Sequence, residues 1–261
     1  MGCSEVPPET LDIKIFGHGG AGFDIVNSVY APNSVSSIAS ALDDYHLDGV
    51  EVDVQFTADS LLIVYHDGFL EGSTQCKGKI SEIHSSDILG CKYRKQFSSR
   101  YEDGIISFDS LATLINNKWH DKYFSLNLKL NTNNLQEMRA YSKVYYRELK
   151  KISNRDKIQT ECNDANFLLL LKTQSISETV LLVHNLDSLG YKNVFRFDLD
   201  GIVTPFNEVE VNLAQSLILE SKYVVTYNQK FARDYKSENF SYITSVQVDN
   251  PILALKYFRN K

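Results

Sequence analysis

Two acidic residues stand two positions apart in a run with the pattern of a buried strand. Glu51 and Asp53 belong to the segment GVEVDVQF, residues 49–56, and alternate residues of a strand face the same side. Buried carboxylates are costly unless they are paired or bound to a cation, and oxygen ligands of this kind suit Mg²⁺, Ca²⁺ or Mn²⁺. The pair therefore indicates either a divalent metal site or a structural network in which Lys129 or Arg196 neutralises the acids.

Two histidines end strand-like segments on either side of this acidic pair. His18 ends residues 13–18 and His66 ends residues 61–66. A lone histidine at a strand end is more often structural, but two beside paired acids favour acid–base chemistry, because imidazole titrates near neutral pH. Lys129 lies on one strand face with Asn127, where its ammonium group can hold a phosphate or neutralise an acid.

Strand and helix patterns alternate along the chain and must position these side chains. Strands are predicted at 13–18, 49–56, 124–130, 157–162, 179–184, 193–199, 222–227 and 244–249, with 61–66 as the return arm of a hairpin. Helices are predicted at 34–47, 109–117, 134–151, 164–172, 185–190, 208–220, 229–236 and 251–258. Eight strand–helix units predict a (β/α)₈ barrel. An open doubly wound sheet is the alternative, but no GxGxxG motif follows the first strand.

In such a barrel the active site lies at the carboxyl ends of the strands. The polar residues near those ends are His18, Glu51, Asp53, His66, Asn127, Lys129, Glu161 and Arg196, and Gly19 directly follows His18. The stretch 68–105 has no clean period, and we interpret it as an excursion on the active-site side that helps to recognise the substrate.

Composition excludes several classes of protein. The chain has 261 residues, of which 43% are hydrophobic and 23% charged, with a net charge of −6. These values are typical of a globular domain rather than a disordered chain. No basic patch indicates nucleic-acid binding, and no apolar run approaches the roughly 20 residues of a membrane span. We expect a flexible N-terminal segment at 1–10 and one domain over 11–261.

The cysteines bear on redox state and location. Cys76 and Cys91 can form a disulfide or remain two free thiols, and no CxxC spacing indicates zinc. Cys3 follows Gly2 and precedes a polar stretch, which is similar to the start of a bacterial lipoprotein acylated at its cysteine. This predicts a lipid anchor and a place in the cell envelope. The alternative is a cytoplasmic protein with an incidental cysteine.

Taken together, these motifs resemble a known family. GHGG at 17–20 and GVEVDVQFTADSLLIVYHD at 49–67 resemble the HRG, E-x-D and HD motifs of the glycerophosphodiester phosphodiesterases, and SLNLKL at 125–130 stands for their E-x-K strand. The resemblance is strong over 13–130 and faint over 131–221. It implies a (β/α)₈ barrel that hydrolyses glycerophosphodiesters to glycerol 3-phosphate and an alcohol.

The resemblance also implies roles for the site residues. His18 and His66 correspond to the general acid and base, Glu51 and Asp53 to ligands of a divalent metal, Mg²⁺ or Ca²⁺ with Mn²⁺ as a further option, and Lys129 to a phosphate contact. We expect Gly19 and Arg196 to line the same substrate site.

Two positions depart from the family pattern. Gly19 replaces the arginine after the first histidine, and Asn127 replaces a third acidic metal ligand. We therefore expect Asn127, or Glu161 on the following strand, to complete the metal site. The departures leave two alternatives open: a catalytically impaired barrel that binds a phosphorylated ligand, and a lysophospholipid phosphodiesterase resembling sphingomyelinase D.

Overall fold

The computed structural model describes residues 12–23, 29–94, 102–174, 179–229, 231–236 and 238–259. The predicted N-terminal segment and Cys3 lie outside the described residues, so the lipid anchor stays a prediction.

Ten strands form one sheet, and eight of them close into a barrel. The strands are β1 (Lys14–Gly17), β2 (Gly49–Phe56), β3 (Leu62–Val64), β4 (Ile106–Ser107), β5 (Tyr123–Lys129), β6 (Ile158–Cys162), β7 (Thr179–Val183), β8 (Gly201–Pro205), β9 (Tyr223–Gln229) and β10 (Ser245–Val248). Parallel pairing runs in the order β1-β10-β9-β8-β7-β6-β5-β2, and pairing of β1 with β2 closes the ring. The predicted (β/α)₈ barrel is confirmed.

Helices connect the barrel strands. They are α1 (Val35–Ala39), α2 (Ser85–Ile88), α3 (Phe108–Lys118), α4 (Leu135–Leu149), α5 (Ala165–Lys172), α6 (Ser188–Arg196), α7 (Val211–Leu219) and α8 (Pro251–Phe258). Ser34 caps α1 by accepting a hydrogen bond from the Ser37 N–H, and a π-helical turn at Ser40–Asp44 extends that helix. None of the helices in the described part of the chain is long and apolar enough to cross a membrane.

One predicted strand is wrong. Residues 193–199 do not form a strand, because α6 occupies Ser188–Arg196 and the barrel strand follows at Gly201–Pro205. The Asp187 side chain caps α6 by accepting hydrogen bonds from the Leu189 and Gly190 N–H groups. The branched and aromatic residues that suggested a strand instead follow the helical period, with Val194 buried and Phe195 exposed.

Two predicted helices also differ from the structure. The described residues of 229–236 do not form the expected α-helix, since β9 continues to Gln229 and is followed by 3₁₀ turns at Asp234–Lys236 and Glu238–Tyr242. The short helix expected near 185–190 begins later, as α6 at Ser188.

Strands β2 and β3 form the predicted hairpin, so the end of β2 pairs with a strand outside the barrel. The start of β2 pairs with β1 up to Val50, whereas its end, from Val54 to Phe56, pairs antiparallel with β3. The excursion then packs on the hairpin through a small hydrophobic cluster of its own that includes Tyr65, Ile80 and Ile105. Cys76 and Cys91 form a disulfide bond within it.

The barrel interior has a polar and an apolar side. Val50, Val52 and Val54 belong to the main core between barrel and helices, so the alternating residues Glu51 and Asp53 face the interior. Across the barrel, β7, β8 and β9 contribute a separate apolar cluster built on Leu181, Val203 and Val225. The polar chemistry is therefore confined to one side of the barrel.

Candidate active site

Strand register brings three of the predicted site residues together. Asp53 on β2 pairs in register with Asn127 on β5, and Asn127 pairs with Glu161 on β6. Residues at one level of parallel strands that share a face lie side by side, so these three side chains form one polar row inside the barrel.

Asp53 is buried and fully engaged by neighbours. Its Oδ1 atom lies 3.0 Å from Lys129 Nζ, and its Oδ2 atom accepts a hydrogen bond of 2.8 Å from Asn33 Nδ2. The Asp53 N–H donates in turn to Asn33 Oδ1, also at 2.8 Å. Burial alone lowers the pKa of Lys129, but the charges of Asp53 and Glu51 raise it above its ordinary value. Lys129 is thus the counter-ion of Asp53.

Glu51 has one carboxylate oxygen available for a ligand. Its Oε2 atom accepts the Gly19 N–H at 3.0 Å, whereas its Oε1 atom is buried with no hydrogen-bond partner among the described residues. Burial and the neighbouring charge of Asp53 raise the pKa of Glu51 to about 7. A bound cation would relieve both effects.

His18 is held between two acids. Its Nδ1 atom lies 2.8 Å from Asp249 Oδ1, and its Nε2 atom lies 3.9 Å from Glu51 Oε2. Burial lowers the pKa of His18, but the hydrogen bond to Asp249 and the charge of Glu51 outweigh it and raise the pKa to about 9. The imidazole is therefore oriented by Asp249 and presents Nε2 to the acidic pair.

His66 has the same kind of partner on the other side of the site. Its Nδ1 atom lies 2.9 Å from Asp67 Oδ1, and 47% of its side chain is exposed. The Gln55 amide donates to the Tyr65 and Asp67 carbonyls at 2.7 and 2.9 Å, which fixes the backbone on both sides of His66. Each histidine thus uses Nδ1 for a carboxylate, which orients its ring.

The phenyl ring of Phe23 contacts both histidines. Its centroid is 4.5 Å from that of the His18 ring and 5.2 Å from that of the His66 ring. Both contacts are edge-on, an arrangement that aromatic rings prefer.

Glu161 lies in the same row and forms a buried polar cluster with Ser125 and Gln247. Its Oε1 atom accepts a hydrogen bond of 2.5 Å from Gln247 Nε2 and another from the Ser125 hydroxyl, whereas its Oε2 atom has no partner among the described residues. Burial and the charge of Glu51 raise the pKa of Glu161 to about 8.

These residues fit a divalent cation with two charged ligands. Glu51 Oε1 is a buried carboxylate oxygen without a partner, and Asn127 adds an amide oxygen beside Asp53 in the strand register. The described residues contain no group of three His, Cys, Asp or Glu placed to hold a metal ion. A cation here would share Asp53 with the Lys129 ammonium, so we expect weak binding.

Most of the predicted site residues lie together at the carboxyl end of the barrel, but Arg196 does not. Arg196 is the last residue of α6, which leads into the start of β8, and its guanidinium lies 5.3 Å from the Phe197 ring. The strand assignment that placed Arg196 at the site is wrong.

Sequence reasoning missed the partners that orient the site. Asp249, Asn33 and Phe23 were not among the predicted site residues. Asp249 and Asn33 stand in VDNP at 248–251 and PNS at 32–34, two further segments that resemble motifs of the family, so a signal existed for them. No spacing pattern pointed to Phe23.

Comparison with known proteins identifies the family. The model of the glycerophosphoryl diester phosphodiesterase family matches residues 21–243. The chain belongs to this family. Its members hydrolyse phosphodiester bonds, and this chain is accordingly a phosphodiesterase of the glycerophosphoryl diester phosphodiesterase family. A comparison with curated protein sequences finds no match.

Solved structures that are named as glycerophosphodiester phosphodiesterases share the fold of this chain at low identity. An enzyme of this name from Parabacteroides distasonis has a TM-score of 0.81 and 14% identity, covering 97% of this chain and 99% of that chain. One from Thermotoga maritima has a TM-score of 0.69 and 18% identity, covering 94% and 97%. An Oleispira antarctica phosphodiesterase in complex with the product sn-glycerol-3-phosphate has a TM-score of 0.79 and 14% identity, covering 95% and 97%.

Proposed function

We propose that this phosphodiesterase hydrolyses glycerophosphodiesters to glycerol 3-phosphate and an alcohol, with His18 and His66 as the acid–base pair. The observation that carries the proposal is the matched orientation of the two imidazoles, each held at Nδ1 by a carboxylate within 3 Å. General acid–base catalysis needs a proton donor and a proton acceptor fixed on opposite sides of the reacting group. In this proposal the two Nε2 atoms take these two roles.

The exposure of the two histidines suggests how the roles are divided. His66 is half exposed, so its Nε2 atom can accept a proton from the attacking oxygen, which enters from solvent. His18 is largely buried and hydrogen-bonded to Asp249, an arrangement that favours the protonated imidazole and its donation to the departing alcohol oxygen. Asp249 and Asp67 hold the rings in place while the protons move.

Lys129, together with the residues that would hold a cation, provides positive charge for the phosphate. The Lys129 ammonium group lies beside the acidic pair, and its side chain is 35% exposed. It can therefore bind a phosphate oxygen as a point charge. Glu51 and Asp53, with Asn127, would hold a divalent cation, Mg²⁺ or Ca²⁺ with Mn²⁺ as a further option. When bound, such an ion neutralises negative charge on the phosphoryl oxygens.

Binding of a phosphorylated ligand without turnover is the second candidate function. The observation that favours it is the Lys129–Asp53 ion pair of 3.0 Å, which supplies a positive charge where an active enzyme would place a metal ion.

A substrate panel distinguishes the two functions. Purified protein is assayed against glycerophosphocholine, glycerophosphoethanolamine and bis-p-nitrophenyl phosphate, with Mg²⁺, Ca²⁺ or Mn²⁺ and with EDTA. We expect release of glycerol 3-phosphate from the first two substrates and its loss in EDTA. Folded protein without turnover under any of the metals would support the binding function instead.

A further inference from the structure

We propose that Phe23 determines the specificity of this site by limiting the size of the phosphodiester that fits between the histidines. The inference rests on the proposed function, since it takes His18 and His66 to act on the two sides of one phosphoryl group. A ring in contact with both imidazoles occupies part of the space through which the ester groups of a substrate must pass.

The backbone fixes the ring relative to His18. The Phe23 N–H donates to Asp249 Oδ1 at 3.3 Å, the same oxygen that binds His18 Nδ1 at 2.8 Å. Gly22 lies so close to Asp249 that a Cβ atom on it would be 2.2 Å from the Asp249 carbonyl oxygen. The residue that orients His18 therefore also holds the chain that carries the ring.

Gly19 provides the room that the ring needs. A Cβ atom at Gly19 would lie 2.7 Å from Phe23 Cε2 and 2.9 Å from Phe23 Cζ, and its φ of +59° is one that side chains rarely adopt. A side chain at 19 and the ring in this position exclude each other. Glycine at position 19 thus leaves room for the Phe23 ring to form an apolar wall beside both histidines.

This wall favours a compact ester group. Glycerophosphoethanolamine has flexible aliphatic groups on both sides of its phosphate, whereas bis-p-nitrophenyl phosphate has two rigid rings, one of which would meet the Phe23 ring. Because a hydrophobic wall discriminates by about 10- to 200-fold for each methylene-sized misfit, truncating the ring should change the preference measurably.

The test measures the ratio of kcat/KM for bis-p-nitrophenyl phosphate to that for glycerophosphoethanolamine. We expect Phe23→Ala to raise this ratio about 10-fold or more, and Phe23→Leu, which keeps most of the volume, to raise it less. Phe195→Ala is the matched control, because Phe195 is 40% exposed near the end of α6, and it should leave the ratio unchanged. An unchanged ratio in Phe23→Ala would overturn the proposal.

A binding measurement separates this proposal from the proposed function. Isothermal titration compares p-nitrophenyl phosphate with glycerol 3-phosphate, and we expect Phe23→Ala to gain affinity for the aryl compound alone. The gain is expected even if the protein turns over no substrate. Equal effects on both ligands, or none on either, would show that the ring does not limit ligand size.

Discussion

The Nδ1 atom of His18 lies 2.8 Å from Oδ1 of Asp249, and this contact joins residues 231 positions apart in the chain. His18 directly follows β1 and Asp249 directly follows β10. These two strands are neighbours in the closed barrel, in register from Lys14 with Ser245 to Gly17 with Val248. Pairing of the first and last strands therefore positions His18, which couples the integrity of the fold to the site.

Asp249→Asn is expected to lower kcat for glycerophosphocholine about 10- to 100-fold, the usual effect of removing a carboxylate that orients a functional histidine. KM should change little, because Asp249 has no predicted contact with the phosphate. Steady-state kinetics check both values. Asp200→Asn is the matched control, since Asp200 directly precedes β8 at the opposite end of the barrel, where it accepts a hydrogen bond of 2.8 Å from the Val180 N–H. Equal activity of Asp249→Asn and the control would remove Asp249 from the positioning role.

The same pair makes stability depend on pH. The pKa of His18 is raised from 6.5 to about 9 in the folded state. Its contribution to stability is therefore fully present below about pH 6.5 and is lost as the pH rises through about 9.

Urea unfolding at about pH 6 and about pH 10 measures this effect in wild type and Asp249→Asn. We expect wild type to be the more stable protein at the lower pH and the difference to shrink by on the order of 1–3 kcal/mol at the higher pH. A difference that stays constant or grows would contradict the assigned interaction.

Asn127 is expected to be the weak ligand of the metal site. Asn127→Asp adds a negative charge beside Asp53 and should tighten Mg²⁺ or Ca²⁺ binding, whereas Asn127→Ala should weaken it. Isothermal titration with each ion measures the affinities. Glu161→Gln tests the alternative third ligand in the same experiment. Unchanged affinity in Asn127→Ala would exclude Asn127 from the ligand set.

Lys129 is expected to stabilise the folded protein when no metal ion is bound at the site. Lys129→Gln leaves the buried Asp53 carboxylate without its cation, so it should lower the free energy of unfolding by roughly 3 kcal/mol without added metal, and divalent ions should restore part of this loss.

Lys151→Gln is the matched control for that change. It removes an ammonium group that pairs with Asp109 and Glu148 at 2.6 Å on the protein surface, which should cost less than about 1 kcal/mol. Urea titrations with and without Mg²⁺ give both values. Equal, metal-independent losses in the two variants would contradict the role assigned to Lys129.

The sequence predicts the part of the site that depends on local pattern. Glu51 and Asp53 share a strand face by the two-residue period of one strand, and His66 follows in the paired hairpin arm, so short segments suffice to place them. The barrel itself follows from the number of alternating strands and helices, even though one strand was misplaced.

The remainder depends on contacts between distant segments. Arg196 was assigned to a strand because Val194, Phe195 and Phe197 have high strand propensity, whereas the Asp187 cap and packing of one face favour a helix there. The Asp249 partner of His18 and the place of Phe23 become visible only when β1 and β10 are paired. The sequence likewise left open whether Lys129 binds phosphate or neutralises an acid, and in the structure it pairs with Asp53.

The proton transfers assigned to His18 and His66 are tested by the kcat of single histidine variants with glycerophosphocholine. His18→Gln and His66→Gln should each lower kcat by about 10²- to 10⁴-fold, and the double variant should be little worse than either, because the two act as a unit. His120→Gln, at an exposed histidine between α3 and the start of β5 at the opposite end of the barrel, should retain wild-type turnover. If folded His18→Gln and His66→Gln proteins hydrolyse the substrate at rates within a few-fold of wild type, the account is contradicted.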